Sequence, residues 1–211
     1  MIVPSHLKNV CIPPQRIAEF SGFDRFHKTR QIDDLIRQVA WHETGHAVAW
    51  TLNGGTLEQT TIVPDRHEGL WGSTMYDLPD EPSTEERYRR AFSGMAASAI
   101  CELAGDSDPF GTIQDFESSA VDLQFICPQP SKLCDELVQT WIEVLKFFGT
   151  PRVWRTADAF ARRLIAEGTI KGFPEDCVSN DNSPIPGGSP CDRARPFRSC
   201  EKHDRKYGYA M

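Results

Sequence analysis

No apolar run in these 211 residues approaches the ~18 that a membrane-spanning helix needs. The first residues, Met1-Ile2-Val3-Pro4-Ser5-His6-Leu7-Lys8, lack a basic region followed by an apolar stretch. No membrane segment is therefore expected in this chain, and the expected location is the cytoplasm. Positive charge is in deficit: 23 Lys and Arg stand against 30 Asp and Glu, for a net charge of -7. Nucleic acid is an unsuitable partner for such a chain, because affinity for a phosphate backbone comes largely from Lys and Arg. There is no C-x-x-C pair, and the seven cysteines, an odd number, are scattered from Cys11 to Cys200. Without a secretion signal they read as reduced thiols, several of them buried, and disulfides are not expected. No phosphate loop of the G-x-x-x-x-G-K-[ST] form occurs, which excludes ATP hydrolysis by that route, and no internal repeat appears.

Hydrophobic residues make up 39% of the chain and charged residues 25%, which is the composition of a folded globular protein. The length suits one domain with an appended tail better than two domains. Residues 1–30, with Pro13-Pro14 and Ser21-Gly22, read as an irregular lead-in holding one short helix around Ile17. From Gln31 to Leu52 apolar residues recur at Ile32, Leu35, Ile36 and Val39, and Asn53-Gly54-Gly55 supplies a helix stop. Thr60-Thr61-Ile62-Val63 and Trp71 to Tyr76 are rich in β-branched and aromatic residues and predict two strands. Ser83-Thr84-Glu85-Glu86 has the form of a capping box, and apolar residues at 88, 91, 92, 95, 96, 99, 100 and 103 follow at helical spacing. Further helices are expected at about 113–127, 131–148 and 152–167. From Gly172 onward Pro, Gly, Ser, Asn and Asp dominate and periodicity is lost, so residues 171–211 read as an extended tail behind a domain of residues 31–170.

Extended from Val39 by three and then four residues, the buried stripe of the first long helix lands on His42 and His46, so these histidines face inward. One helical turn brings the two imidazoles within reach of a single metal ion, with Glu43 beside them, the H-E-x-x-H arrangement. Zinc held by three protein ligands keeps a position for water and lowers its pKa to about 7, and a carboxylate can then take the proton and pass it to a leaving amine. Glu43 is the residue for that role. The competing reading is a pair of core histidines satisfied by ordinary hydrogen bonds, with Glu43 a solvated helix residue. Two points count against it. Buried imidazoles need partners, which one metal supplies to both. Gly45 costs on the order of 1 kcal/mol relative to Ala in a helix interior, which implies a close neighbour there.

Ala40-Trp41-His42-Glu43-Thr44-Gly45-His46-Ala47-Val48, then Thr61-Ile62-Val63-Pro64, then Gly72-Ser73-Thr74-Met75 with Leu78-Pro79, resembles the peptidase domain of FtsH-type zinc metalloproteases. The likeness covers residues 31 to 170, where Trp154 to Gly168 is similar to the family's last helix. Where the family carries a Gly-Gly-Arg-type helix, this chain has Ser93-Gly94-Met95-Ala96-Ala97, without the family's Arg or its Ala-Glu pair. The resemblance implies a mainly α (α+β) fold, a helical zincin-like peptidase domain with a small β-hairpin or sheet beside the metal-binding helix. It also implies a third zinc ligand in a Gly-Ala-x-Asn-Asp-type segment, which Gly111-Thr112-Ile113-Gln114-Asp115 is similar to in placement. His42, His46 and Asp115 would then hold Zn2+, with Glu43 as general base. Asp115 could instead cap the helix containing Phe116. Asp122 lies two turns further on and is the reserve ligand, and Asp106 and Asp108 precede Asp115 in a loop.

FtsH-type enzymes join this domain to a membrane segment and an ATPase ring, and neither is in this sequence, so flexible peptides or partly unfolded proteins are the expected substrates. A separate ATPase partner and the oligomeric state stay open. In related zinc peptidases an extended substrate pairs with a strand next to the metal, a role residues 70–76 could fill, though they could equally be plain core strand. Two other functions are weighed: a regulatory metallopeptidase of the ImmA type that cuts a repressor partner, and a catalytically silent peptide-binding module derived from the same fold. In the tail, Cys177, Cys191, Cys200 and His203 offer the donor types of a structural zinc site at poor spacing, and scattered thiols are the default. The basic end from Arg193 to Lys206 reads as a solvated tail.

Overall fold

Apolar residues at helical spacing and one pair of β-rich segments account for most of the architecture. The structure, a computed structural model, describes residues 10–21, 32–65, 67–68, 70–77, 89, 92–94, 96–97 and 130–184. A short helix α1 (Pro14–Ser21) leads into the long central helix α2 (Ile32–Leu52). Leu35, Ile36, Ala40, Trp41, Ala47 and Val48 are all buried, so α2 is enclosed on nearly every side, as expected of a helix that runs through the core. It ends at the expected stop. Gly54 takes φ 90°, its N–H donates to the Thr51 carbonyl at 3.0 Å, and the Gly55 N–H donates to the Trp50 carbonyl at 3.1 Å. This pair of bonds closes a helix through one left-handed residue, where glycine carries no Cβ penalty.

Helices α3 (Pro130–Gly149) and α4 (Pro151–Glu167) match the segments expected at 131–148 and 152–167. Pro151 sits at the first helical position of α4, where its missing N–H costs nothing. The buried face of α4 carries Val153, Ala157, Phe160, Ala161 and Leu164 and packs on α2, with Trp154 stacked on Trp41 at a centroid separation of 5.0 Å. Of the helix expected after the capping box, residues 89, 92–94 and 96–97 are helical, and Phe92, Ala96 and Ala97 are buried. The helix expected at 113–127 lies outside the described residues, as do most of the lead-in and the tail beyond residue 184.

The strands form one antiparallel sheet in the order β2-β1-β3, from β1 (Leu57–Thr61), β2 (Ser73–Tyr76) and β3 (Thr169–Lys171). Together with the helices it makes an α+β architecture whose sheet packs beside α2. Thr60 pairs with Thr74 on one side and with Ile170 on the other. An irregularity between Leu57 and Gln59 lets both Leu57 and Thr60 face inward, although strict alternation would separate them. The first strand ends at Thr61 and does not run on to Val63, because the Thr61 hydroxyl accepts the Val63 N–H at 3.1 Å and turns the chain locally. Asp65 shapes the loop between β1 and β2: its carboxylate accepts the N–H groups of His67 at 2.8 Å and Glu68 at 3.2 Å. These bonds, Glu68's foremost, pull its carboxyl below the usual carboxylate range.

β3 and the turn behind it were not anticipated from sequence. Three residues are too few to show alternation, and Thr169-Ile170-Lys171 becomes a strand because β1 offers it an edge. The following 3-10 turn at Glu175–Cys177 buries Cys177, and burial pushes that thiol's pKa up. At the opposite end of the described chain Arg16, on α1, is buried against the end of α4 and donates to the Glu167 carbonyl at 2.9 Å. A cation there complements the negative end of the helix. Glu19 pairs with the same guanidinium. Among the described residues no helix is long and apolar enough to cross a membrane.

Leu164 is fully buried on α4. Leu164→Ala is expected to cost about 2–5 kcal/mol, through lost apolar burial and the cavity left behind. A lowered midpoint in urea with an unchanged slope is the expected result, and an unaltered midpoint would contradict this packing.

Candidate functional site

Residues 42 and 46 are one turn apart on α2, and the structure turns both rings to the same side. The Nε2 atoms of His42 and His46 lie 3.2 Å apart, with ring centroids separated by 4.9 Å at an interplanar angle of 73°. Both rings are half-buried. Two ring nitrogens this close cannot present lone pairs to each other unless something positive lies between or beside them. A proton on one ring is one solution and a shared cation is another. Two zinc–nitrogen bonds of about 2.0–2.1 Å at a near-tetrahedral angle put their nitrogens about 3.3 Å apart, so the observed spacing fits a common ion.

The space beside these nitrogens is kept open by a glycine on another segment. A Cβ on Gly94 would lie 2.6 Å from His46 Nε2 and 2.8 Å from His42 Nε2. Only a residue without a side chain can stand at that point. The backbone approach is tight on the α2 side too, since a Cβ on Gly45 would lie 2.3 Å from the Ser93 carbonyl oxygen and 2.8 Å from Gly94 Cα. The close neighbour implied by a glycine within a helix is therefore the segment at residues 93 to 97. Gly45 lets the two backbones meet, and Gly94 leaves beside the two imidazoles a place that suits a small cation better than a side chain.

Glu43 is not a solvated helix residue. It is 7% exposed, and its carboxylate Oε2 accepts a hydrogen bond of 2.8 Å from the Thr74 hydroxyl on β2. A buried carboxylate without such a donor would cost several kcal/mol or take up a proton. The side chain runs between α2 and the sheet, where a Cβ on Gly72 would lie 2.9 Å from Glu43 Cγ. The Thr74 and Gly72 contacts with Glu43 were not predicted from sequence. Both depend on the strand register bringing residues about thirty positions away onto α2, which no local pattern encodes.

Among the described residues no third His, Cys, Asp or Glu joins the histidines in a cluster able to hold a metal ion. Asp115, Asp122, Asp106 and Asp108 all lie outside the described residues. Of the tail's donor types, Cys177 is buried behind α4, and Cys191, Cys200 and His203 lie outside the described residues. The chain matches no family model and no curated protein.

Gly94→Ala tests the cradle directly. The added methyl is expected to force the two imidazoles apart, with an overpacking cost of about 1–3 kcal/mol. In a spectrum of the histidine ring nitrogens, the His42 and His46 signals should both move. Signals that stay in place would mean that residue 94 does not crowd these rings.

Proposed function

We propose that this chain is a zinc-dependent peptidase that hydrolyses peptide bonds in flexible or unfolded polypeptides. The observation that carries the reading is the 3.2 Å convergence of His42 Nε2 and His46 Nε2 next to a space that only a glycine leaves open. In this reading His42 and His46 donate their ring nitrogens to zinc, and Asp115 supplies the third ligand, with Asp122 in reserve. Zinc supplies the chemistry of a polarised, acidified water at neutral pH. In this reading Glu43 would accept a proton on its carboxylate and pass it to the departing amide nitrogen. Its burial keeps bulk water from competing for the proton. The likeness to FtsH-type peptidase domains supports the assignment, and a zincin-like arrangement of helix and sheet agrees with the α+β architecture. As an edge strand among the described residues, β2 offers main-chain groups to an extended peptide, and pairing of that kind tolerates many side chains.

Hydrolysis of unfolded casein by the purified protein, lost with a chelator and restored with zinc, is the expected behaviour. An inert preparation that binds no metal would favour the silent peptide-binding module. Glu43→Gln should remove most of the hydrolysis while zinc content stays near the wild-type value, because this side chain handles protons and does not hold the ion. Full activity in that variant would remove Glu43 from its role. Elemental analysis of Asp115→Ala should show a sharp loss of zinc, and Asp122→Ala should keep it. The reverse result would move the third ligand to Asp122.

A further inference from the structure

The acid assigned to proton transfer sits on a helix, but the hydroxyl that holds its carboxylate belongs to the sheet. Thr74 Oγ1 lies 2.8 Å from Glu43 Oε2 and 3.2 Å from the backbone carbonyl oxygen of the same residue. A hydroxyl has one proton to give, and the shorter contact is the one to the carboxylate. The hydroxyl therefore donates to the tip of Glu43 and only lies near its root. Two residues earlier in the chain, Gly72 makes room for the glutamate stem, since a Cβ there would lie 2.9 Å from Glu43 Cγ. Residues i and i+2 of an extended chain present to one side, so Gly72 and Thr74 form a single surface against which Glu43 is laid. Thr74 is itself fixed in height by pairing with Thr60 in the central strand.

We propose that Thr74 is a positioning residue for Glu43, holding the carboxylate at the distance and angle from the imidazole pair that proton transfer requires. The proposal rests on the peptidase reading above. A glutamate has three rotatable bonds, and a general base must come within about 2.6–3.2 Å of the proton it abstracts. The helix fixes only where the side chain starts. The bond from Thr74 fixes where it ends, and the missing side chain at Gly72 leaves the stem room to lie there. Thr74 touches neither histidine in the contacts described, so its effect is on the base and not on the ion. This separates its signature from that of a ligand.

The test compares Thr74→Val, which keeps shape and β-branching, with Thr74→Ser, which keeps the hydroxyl, both in the full chain with labelled casein as substrate. Thr74→Val is expected to lower kcat by about 10- to 100-fold while KM stays within about 2-fold, since a base moved by a fraction of an ångström loses rate and not binding. Zinc content should match the wild type, and Thr74→Ser should recover most of the rate. If the valine variant does not fold, Thr74→Ala takes its place in the same comparison. A second readout needs no turnover: in the metal-free protein the melting shifts of Thr74→Val and Glu43→Ala should add to more than the shift of the double variant, as expected of two side chains that share one bond. A valine variant with the wild-type kcat, a serine variant as slow as the valine one, loss of zinc in either, or strictly additive melting shifts would each overturn the proposal. A wild-type protein without chelator-sensitive hydrolysis would overturn the peptidase reading and this inference together, whereas a Thr74→Val variant with the wild-type kcat would overturn this inference alone.

Discussion

The stacking of Trp41 on Trp154 turns one side of α2 to α4, and the directions of the neighbouring site residues follow from that orientation. Successive residues on a helix turn by about 100°, so with Trp41 directed at α4 the next residues face elsewhere by fixed amounts. His42 and His46 fall within about 40° of one another on a second side, and Glu43 points to a third. Each side has its own cover. α4 closes the first, helical residues 93, 94 and 97 close the second, and β2 closes the third. A helix exposed to solvent could rotate a little without penalty. One enclosed in this way cannot, and its polar residues inherit the rigidity of its apolar ones.

Enclosing a helix that bears two imidazoles and a carboxylate raises the question of how those groups are satisfied away from water. The two kinds of group are treated differently. The carboxylate receives a hydroxyl from a neighbouring strand at 2.8 Å. The imidazoles are given room: glycines at positions 45 and 94 let two backbone segments come close without filling the space next to the ring nitrogens. The polar contact holds the acid still and the missing side chains leave a place beside the rings, so that one small region is both tightly packed and open at a single point.

The helices were legible in the sequence because their apolar residues recur with a period that nothing else in the chain imitates. Ile32 to Val39 marked α2, and Val153 to Leu164 marked α4, within a residue or so of the observed ends. The two histidines could be placed together for the same reason, since their spacing is itself helical. The strands were harder. Ile62 and Val63 have strong β preference, yet a local bond from the Val63 N–H to the Thr61 hydroxyl ends the strand before them. β3 has no periodicity of its own and exists through its partner. Least legible of all was the contact between Thr74 and Glu43, which depends on register, on an irregularity in β1 and on the tilt of the sheet against α2. The ligand assigned to Asp115 falls outside the described residues, so it rests on the resemblance and not on geometry.

The central strand of the sheet takes one neighbour from just downstream and the other from beyond α4, with 108 positions separating Thr61 from Thr169, whose hydroxyls meet at 2.7 Å. On the ribosome, which releases the chain from its amino end, the α2 histidines and the first two strands emerge while that far side of β1 still lacks its mate. The hairpin that steadies Glu43 therefore cannot lean on a finished sheet until α4 has been made and the chain has doubled back. A nascent copy of this protein carries His42, Glu43 and His46 long before it has the frame that fixes their positions.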